Sequence, residues 1–440
     1  MGSYTAYGVF ILASLFYLYE WLVQVSPSVM TNILMQEFHT DSAGLGLLAS
    51  FFYWAYMPMQ LVGGLMYDRF GPRRVLTAAI GICVTGAFFF SMTSNLFWAD
   101  FSRFLMGFGA GCSFVGVLVL IARWFPVKQF ALLAGTAQFL SSVGAIGGGT
   151  PLAHAIDTYG WRSAIFIVAC LGVALAVGVW LVVRDYPADF DRSHEQNEHD
   201  QTFADIMMRL REVFQSRQTW LTVIYAYFIW APFVIFPAMW GVVFFEKLYQ
   251  FDTSQATNMI SMIWLGVGFG SAFFGWWSDR FATRILPMAV PAVIGMVVSV
   301  IVLYVPNIPT SSMFIIMFLF GLAGAGQTVS FALIRDINKE RNVGTAFGLN
   351  NMMVVAGGAV FHPLVGLLIH FFWNGAYQAN GVPLYSVTAY QKSLFIIPLC
   401  FAIATIISVF FLEETHGRHI AEDDEPLLKA RKVEQAPLEA

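Results

Sequence analysis

The stretch Gly63–Leu76, GGLMYDRFGPRRVL, crowds Asp68, Arg69, Arg73 and Arg74 between two apolar runs. Its surroundings decide how it is read. The 440-residue chain is 58% hydrophobic and only 11% charged, with a mean hydropathy of +0.67, whereas a soluble domain carries about 25% charged residues. So little charge cannot cover a water-facing surface, and the chain reads as a polytopic membrane protein. Crossing ~30 Å of hydrocarbon takes about 20 apolar residues in a helix. That ruler marks twelve segments, at 7–35, 43–66, 74–93, 97–122, 129–155, 161–183, 219–245, 255–277, 285–305, 310–334, 342–371 and 390–412. They are helices, because such runs exceed barrel strands and every backbone group in lipid must be paired. The first has no basic n-region or cleavage site and is too long for a signal peptide, so it is expected to stay as the first membrane helix.

One long polar stretch interrupts the series. RDYPADFDRSHEQNEHDQ, from Arg184, reads as a flexible linker. FADIMMRLREVFQ follows, with Phe203, Ile206, Met207, Leu210 and Phe214 at helical spacing, an amphipathic helix expected to lie on the membrane surface. The expected division is a six-helix bundle over 1–183, a cytoplasmic linker over 184–218, a second six-helix bundle over 219–412 and a disordered tail over 413–440. Placing both termini in the cytoplasm puts 19 of the 23 Lys and Arg in inside loops, linker and tail, leaving only Arg103, Arg162, Lys247 and Lys392 in the outer half.

The halves repeat. Asp68 in the opening loop has a weak twin, Asp279 in FGWWSDRFATRI, 211 residues on. Gly135 of AGTAQF and Gly344 of VGTAFG are 209 apart, and Pro151 and Pro363 are 212 apart. Three markers at nearly one offset indicate an all-α membrane protein of two pseudo-symmetric six-helix bundles, duplicated in parallel.

With its twelve segments, linker and duplication, the chain resembles the major facilitator superfamily along essentially its whole length. Gly64, Asp68, Arg69, Gly71, Arg73 and Leu76 match that family's loop signature G-x-L-a-D-R-x-G-R-K-x-x-L. Pro72 departs from it, and Arg74 supplies the displaced charge. RFLMGFGAG from Arg103 is similar to the fourth-helix motif, with Met106 in place of glutamine, and GWR at Gly160–Arg162 is familiar from many members. QVSPSVM, Gln24–Met30, is similar to bacterial permeases of intracellular pathogens and to the lysosomal dipeptide-carrier branch. The fifth-helix antiporter motif is absent, since SSVGAIGGGTPLAHA has no Gly-Pro at the required place.

The resemblance implies a secondary transporter working by alternating access, without enzymatic activity. Uptake of an amino acid, short peptide or organic anion with protons is the first expectation, and proton-driven export of drugs or siderophores the alternative. It implies a latch between the halves at Gly64, Asp68, Arg69, Gly71 and Arg73, with Asp279 and Arg280 as the weaker counterpart. Asp68 in addition sits unfavourably against the negative end of its helix dipole and needs a partner. A bland reading of the same charges is topology alone.

The solute must be sought among the sparse interior polar residues, because intramembrane charges are costly and usually functional. Glu20 sits mid-way along segment one and Arg103 about two turns into segment four, and both are expected to face a central cavity. A carboxyl there suits a proton carrier, a contact for a cationic group, or a partner for Arg103. The guanidinium suits a carboxylate or phosphate, or an anchor to Asp100. Tyr53, Tyr56, Gln138, Tyr227, Trp230, Gln327, Asn350, Asn351 and His362 complete the candidate substrate and proton set, each with interhelical packing as the competing role. Cys83, Cys112, Cys170 and Cys400 are scattered and form no metal motif, and the glycine clusters lie inside helices without an adjacent strand. No cofactor, metal, ATP or nucleic acid is expected. The partners expected are a small-molecule solute, protons and the lipid bilayer around a monomer in a bacterial inner membrane.

Overall fold

A computed structural model describes residues 2–187, 203–378 and 381–418. Apart from one isolated bridge between Tyr377 and Pro383, the regular structure within them is helical. Among the described residues, eleven spans are long and apolar enough to cross a membrane. In the order of the twelve segments they are span 1 Thr5–Val29, span 2 Ser42–Tyr67, span 3 Pro72–Met92, span 4 Leu96–Trp124, span 6 Trp161–Val182, span 7 Arg217–Tyr249, span 8 Thr253–Arg280, span 9 Ile285–Tyr304, span 10 Thr310–Ile337, span 11 Val343–Phe371 and span 12 Val387–Phe410. Span 5 differs from the single helix expected. It is divided into Val127–Gly147 and Thr150–Tyr159. A Cβ on Gly148 would meet Val25 Cγ2 at 2.6 Å and the Leu22 carbonyl oxygen at 2.7 Å, so the glycine break is what lets span 5 press against span 1.

Spans 4 and 10 also break, at Gly111–Cys112 and Ala323–Gly324, and two further irregular turns sit at prolines. Span 1 tightens into a 3₁₀ turn at Ser26–Val29, around Pro27. Span 7 widens into a π turn at Phe236–Trp240, where Pro237 withholds an N–H from the helical ladder. These two irregular turns pack against each other, one from each half.

Within each half the packing is the same. Span 1 lies on 5, 2 on 4 and 3 on both 4 and 6; correspondingly 7 lies on 11, 8 on 10 and 9 on both 10 and 12. The halves meet along spans 2 and 11 and along 5 and 8. Each half also ties off its own loop. Gly71, at φ +79°, turns the chain between spans 2 and 3, and the Asp185 carboxyl lies 2.6 Å from where a Cβ would project. That carboxylate accepts the Arg73 N–H at 2.9 Å, while the Arg73 guanidinium stacks on Trp180. In the second half Arg284, the counterpart of Arg73 at the same offset of 211, donates its N–H to Glu414 at 2.8 Å. Both acids follow the last span of their half and cap the third, where free N–H groups and the helix dipole favour an anion. Partial burial opposes the charge of Glu414, but the N–H groups of Ile285, Arg284 and His416 and the Thr283 hydroxyl outweigh it and hold the carboxyl below its usual range.

Of the expected linker, residues 188–202 lie outside the described residues, as does the tail beyond 418. Helix Phe203–Gln215 is present, but it docks on protein rather than lying on the membrane surface alone: Val213 packs with Val223, Ile334, Ala346 and Leu349.

Spans 2 and 11 run antiparallel and touch along most of their length. The Ser42 hydroxyl donates to the Gly366 carbonyl at 2.9 Å, Trp54 Nε1 to the Ala359 carbonyl at 2.9 Å, and Asn351 Nδ2 to Gln60 Oε1 at 2.6 Å. Beyond Leu61, Gly63, Gly64 and Gly344 have nothing within 4 Å of a notional Cβ. Spans 5 and 8 form a wider V. Thr150 and Thr257 share a hydrogen bond of 3.0 Å at one end, Gly268 approaches Phe139 at 3.5 Å, and Gly135 and Gly275 are open at the other. The protein is therefore closed at the face opposite the arginine-rich loop and open at the loop face. The closed side is made possible by missing side chains: a Cβ on Gly46 would strike the His362 carbonyl oxygen, and one on Gly366 that of Ser42. Gly46→Ala is expected to wedge spans 2 and 11 apart. With Ser28, now 3% exposed, changed to cysteine in a Cys170→Ser background, reaction with an impermeant thiol reagent should accelerate at least about threefold, a shift of ~0.6 kcal/mol in the closing equilibrium. An unchanged rate rejects the wedge.

Candidate functional site

Between the halves lies a cavity of about 790 Å³. Spans 1, 2, 4 and 5 supply one wall and spans 7, 8, 10 and 11 the other, and it opens through the V between 5 and 8. Its volume falls in the range of roughly 300–1,000 Å³ used by small-molecule sites.

Five of the eleven interior candidates line it: Tyr56, Gln138, Trp230, Gln327 and Asn351. Tyr53 stands behind the wall, accepting from Gln24 Nε2 at 2.9 Å. Asn350 is turned into the second bundle, donating to Ser330 Oγ at 3.0 Å. His362 is buried 5.1 Å from the Tyr53 ring, and Tyr227 packs between Phe228 and Phe361. No group of three or more His, Cys, Asp or Glu that would hold a metal occurs among the described residues.

The expectation that Glu20 and Arg103 face the cavity fails for both. Neither is on its wall, and they do not pair with each other. Arg103, 1% exposed, is held by the backbone. Its Nη1 donates to the Val23 carbonyl at 2.9 Å, its Nη2 to the Gln24 carbonyl at 3.2 Å, and its guanidinium lies 4.8 Å over the Phe52 ring. These carbonyls end the regular helix of span 1, just before the 3₁₀ turn, where partners are missing and a cation is favoured. The arginine stabilises the break. Glu20 is fully buried, and neither carboxylate oxygen has a hydrogen-bond partner. The electrostatic neighbours of Glu20 include Tyr17, Tyr53, Tyr56 and Cys83, of which Tyr17 and Tyr56 line the cavity.

Sequence reading passed over Tyr17, Trp21 and Gln24, the span 1 contribution to the wall. Their spacing of four and three residues puts them on one helix face, a signal that was available. At 100° per residue Glu20 points about 70° away from that face. On the loop side, Arg69 and Arg280 are exposed next to Phe70 and Phe281, and Asp279 pairs with Arg284 at 2.7 Å. Arg284 is also held by buried Asp336 at 2.8 Å. The Asp68 side chain lies outside the described residues.

A family model described as Major Facilitator Superfamily matches residues 9–290 and 233–436. The probable hexose phosphate transport protein of Chlamydia trachomatis serovar D is 24% identical over 401 residues, 82% of this chain and 85% of that protein. The probable anion transporter 6, chloroplastic, of Arabidopsis thaliana is 28% identical over 248 residues, 53% of this chain and 46% of that protein. Among solved structures, a bacterial homologue of the human lysosomal transporter Spinster, in an inward-facing and unoccupied conformation, shares the fold with a TM-score of 0.76 at 16% identity, covering 96% of this chain and 99% of that one.

The contrast between the two buried charges sets a stability test. Arg103→Met removes two hydrogen bonds from a cation and leaves the Val23 carbonyl to the Ser26 hydroxyl alone, a cost of about 2–4 kcal/mol. Glu20→Gln removes no hydrogen bond and is expected to cost less than about 1 kcal/mol. Melting of the detergent-solubilised variants reads both; equal losses contradict the assigned roles.

Proposed function

Because the chain belongs to the Major Facilitator Superfamily, and is thus a multi-pass membrane protein and a secondary transporter of organic solutes rather than an enzyme, we propose that it takes up a small polar solute together with protons. The observation that carries this reading is the cavity between the halves, closed at one face by spans 2 and 11 and open at the other through spans 5 and 8. Exchange between such a state and its opposite, with the solute held midway, is alternating access. The names of the relatives, a hexose phosphate carrier and an anion carrier, favour a compact polar metabolite. The arginine-rich face and both termini are then cytoplasmic, in a bacterial inner membrane, and the working unit is the monomer.

Glu20 is the proposed proton site. A buried carboxylate with no partner is costly, so this group is suited to taking up and shedding a proton as the cavity changes sides. Tyr17 and Tyr56 connect it to the solute space. In proteoliposomes loaded with a solute found by thermal shift, an inward proton gradient is expected to drive accumulation at least about tenfold. Glu20→Gln should lose that stimulation while solute counterflow persists. Accumulation by Glu20→Gln that still follows the gradient rejects the assignment.

The loop at Asp68 is the proposed latch of the opposite, outward-open state. Gly64 and Gly344 stand unoccupied by neighbours in the present one, as a released latch requires. Asp68→Asn is expected to raise labelling of a cysteine at Ala272, on the cavity wall, by an impermeant reagent added from the loop face. Equal labelling of variant and parent refutes the latch.

A further inference from the structure

The chemistry of the cavity wall narrows the solute, on the footing that the cavity is where solute is carried. Among the described residues that line it there is no Asp, Glu, Lys, Arg or His. The nearest candidates for charge are withdrawn: Arg103 is committed to two backbone carbonyls, and Glu20 and His362 are buried behind the wall. A phosphate or carboxylate entering here would lose water without gaining a cation or a fork of donors, at a cost of several kcal/mol. Cationic solutes would meet the same deficit of opposite charge.

What the wall offers is different. Gln24 uses its Nε2 on Tyr53, and Asn351 uses its Nδ2 on Gln60, while the carbonyl oxygen of neither amide has a hydrogen bond to a described residue. Gln327 lines the cavity with no hydrogen bond from its side chain to any described residue. The wall thus sets acceptor oxygens on Gln24 and Asn351 beside donors on Trp21 Nε1 and the Gln327 amide, a mixture that suits hydroxyl groups, which both donate and accept. Trp21 and Trp230 meet edge to face at 6.2 Å across the two halves, each less than a tenth exposed, and present an aromatic margin to the cavity. Such a margin can contact the apolar side of a ring-shaped solute.

We propose that the transported solute is electrically neutral, a ring compound bearing several hydroxyl groups and one apolar side, held beside Trp21 and Trp230 by the amides of Gln24, Gln327 and Asn351.

Matched pairs test it on the purified full chain: D-glucose against glucose 6-phosphate, and uridine against uridine 5′-monophosphate, by thermal stabilisation at equal concentrations. A neutral member of at least one pair should stabilise the protein while its phosphate does not, and Gln327→Ala should weaken that neutral ligand about tenfold. Stabilisation by a phosphate over its parent, or by no neutral member, overturns the proposal. A second arm needs no ligand. With Ala272→Cys in the Cys170→Ser background, anionic, neutral and cationic methanethiosulfonates of similar size should react in the ratio seen with a free thiol, within about threefold. A preference for the anionic or the cationic reagent of tenfold or more overturns the proposal too. Failure here is distinct from failure of the transport reading: a neutral ligand that binds but is never carried rejects transport alone, whereas a phosphate that binds and is carried rejects neutrality alone.

Discussion

Two helices in contact across a membrane gain nothing from excluding water, so their association rests on how closely their backbones approach. In this protein the closest approach between the halves is along spans 2 and 11, where Gly46, Gly358 and Gly366 place backbone against His362, Tyr53 and Ser42. Everything functional follows from this contact. It seals one face, it makes spans 5 and 8 splay at the other, and the volume between is the cavity. The same contact also carries few strong bonds between the halves near the closed face. Ser42 donates to Gly366, and the acid–imidazole contact of Asp41 with His370 at 3.2 Å is exposed by 34% and 41% at its two partners. Such exposed pairs contribute about 0–1 kcal/mol. A seal built from fit, with little electrostatic glue, can open again.

The architecture was legible before any coordinates, because it depends on quantities a sequence carries directly. Segment length follows from bilayer thickness, the count of helices from apolar runs, and the two halves from Asp68 and Asp279, Gly135 and Gly344, Pro151 and Pro363. The break in span 5 was present in the letters as GGGTP, but its cause is a contact with Leu22 and Val25 that spacing along the chain does not reveal. The caps by Asp185 and Glu414 were equally hidden. Each acid is more than 100 residues from the helix it caps, although the matching offset of Arg73 and Arg284 was there to be noticed.

The solute site was only half legible, for an instructive reason. Depth in the membrane can be counted along a helix; direction around it cannot, unless several polar residues share a face. Tyr17, Trp21 and Gln24 do share one, and they line the cavity. Glu20 stands out by charge and points elsewhere. Arg103 misled for a second reason. Rarity in hydrocarbon marks a residue as important without distinguishing a ligand for the solute from a ligand for the backbone, and here the guanidinium serves two backbone carbonyls just before the 3₁₀ turn at Pro27.

These two placements belong together. A cavity that alternates between water on one side and water on the other must be emptied and refilled at each cycle, and every fixed charge on its wall would have to be dehydrated when the walls close. Keeping Arg103 on the hinge of span 1 and Glu20 behind Tyr17 and Tyr56 leaves a wall of amides, hydroxyls and rings, whose desolvation costs far less than that of an ion. The charges then act on the machine rather than on the cargo. Arg103 fixes where span 1 bends, next to the π turn of span 7 against which that bend packs. At the junction of those two irregular turns both halves depart from the regular helical ladder and are in contact. A change of charge at Glu20, a turn and a half before the bend, acts on the same helix that presents Tyr17, Trp21 and Gln24 to the solute. The proposed coupling of proton to solute would then require no shared binding site, only a shared helix.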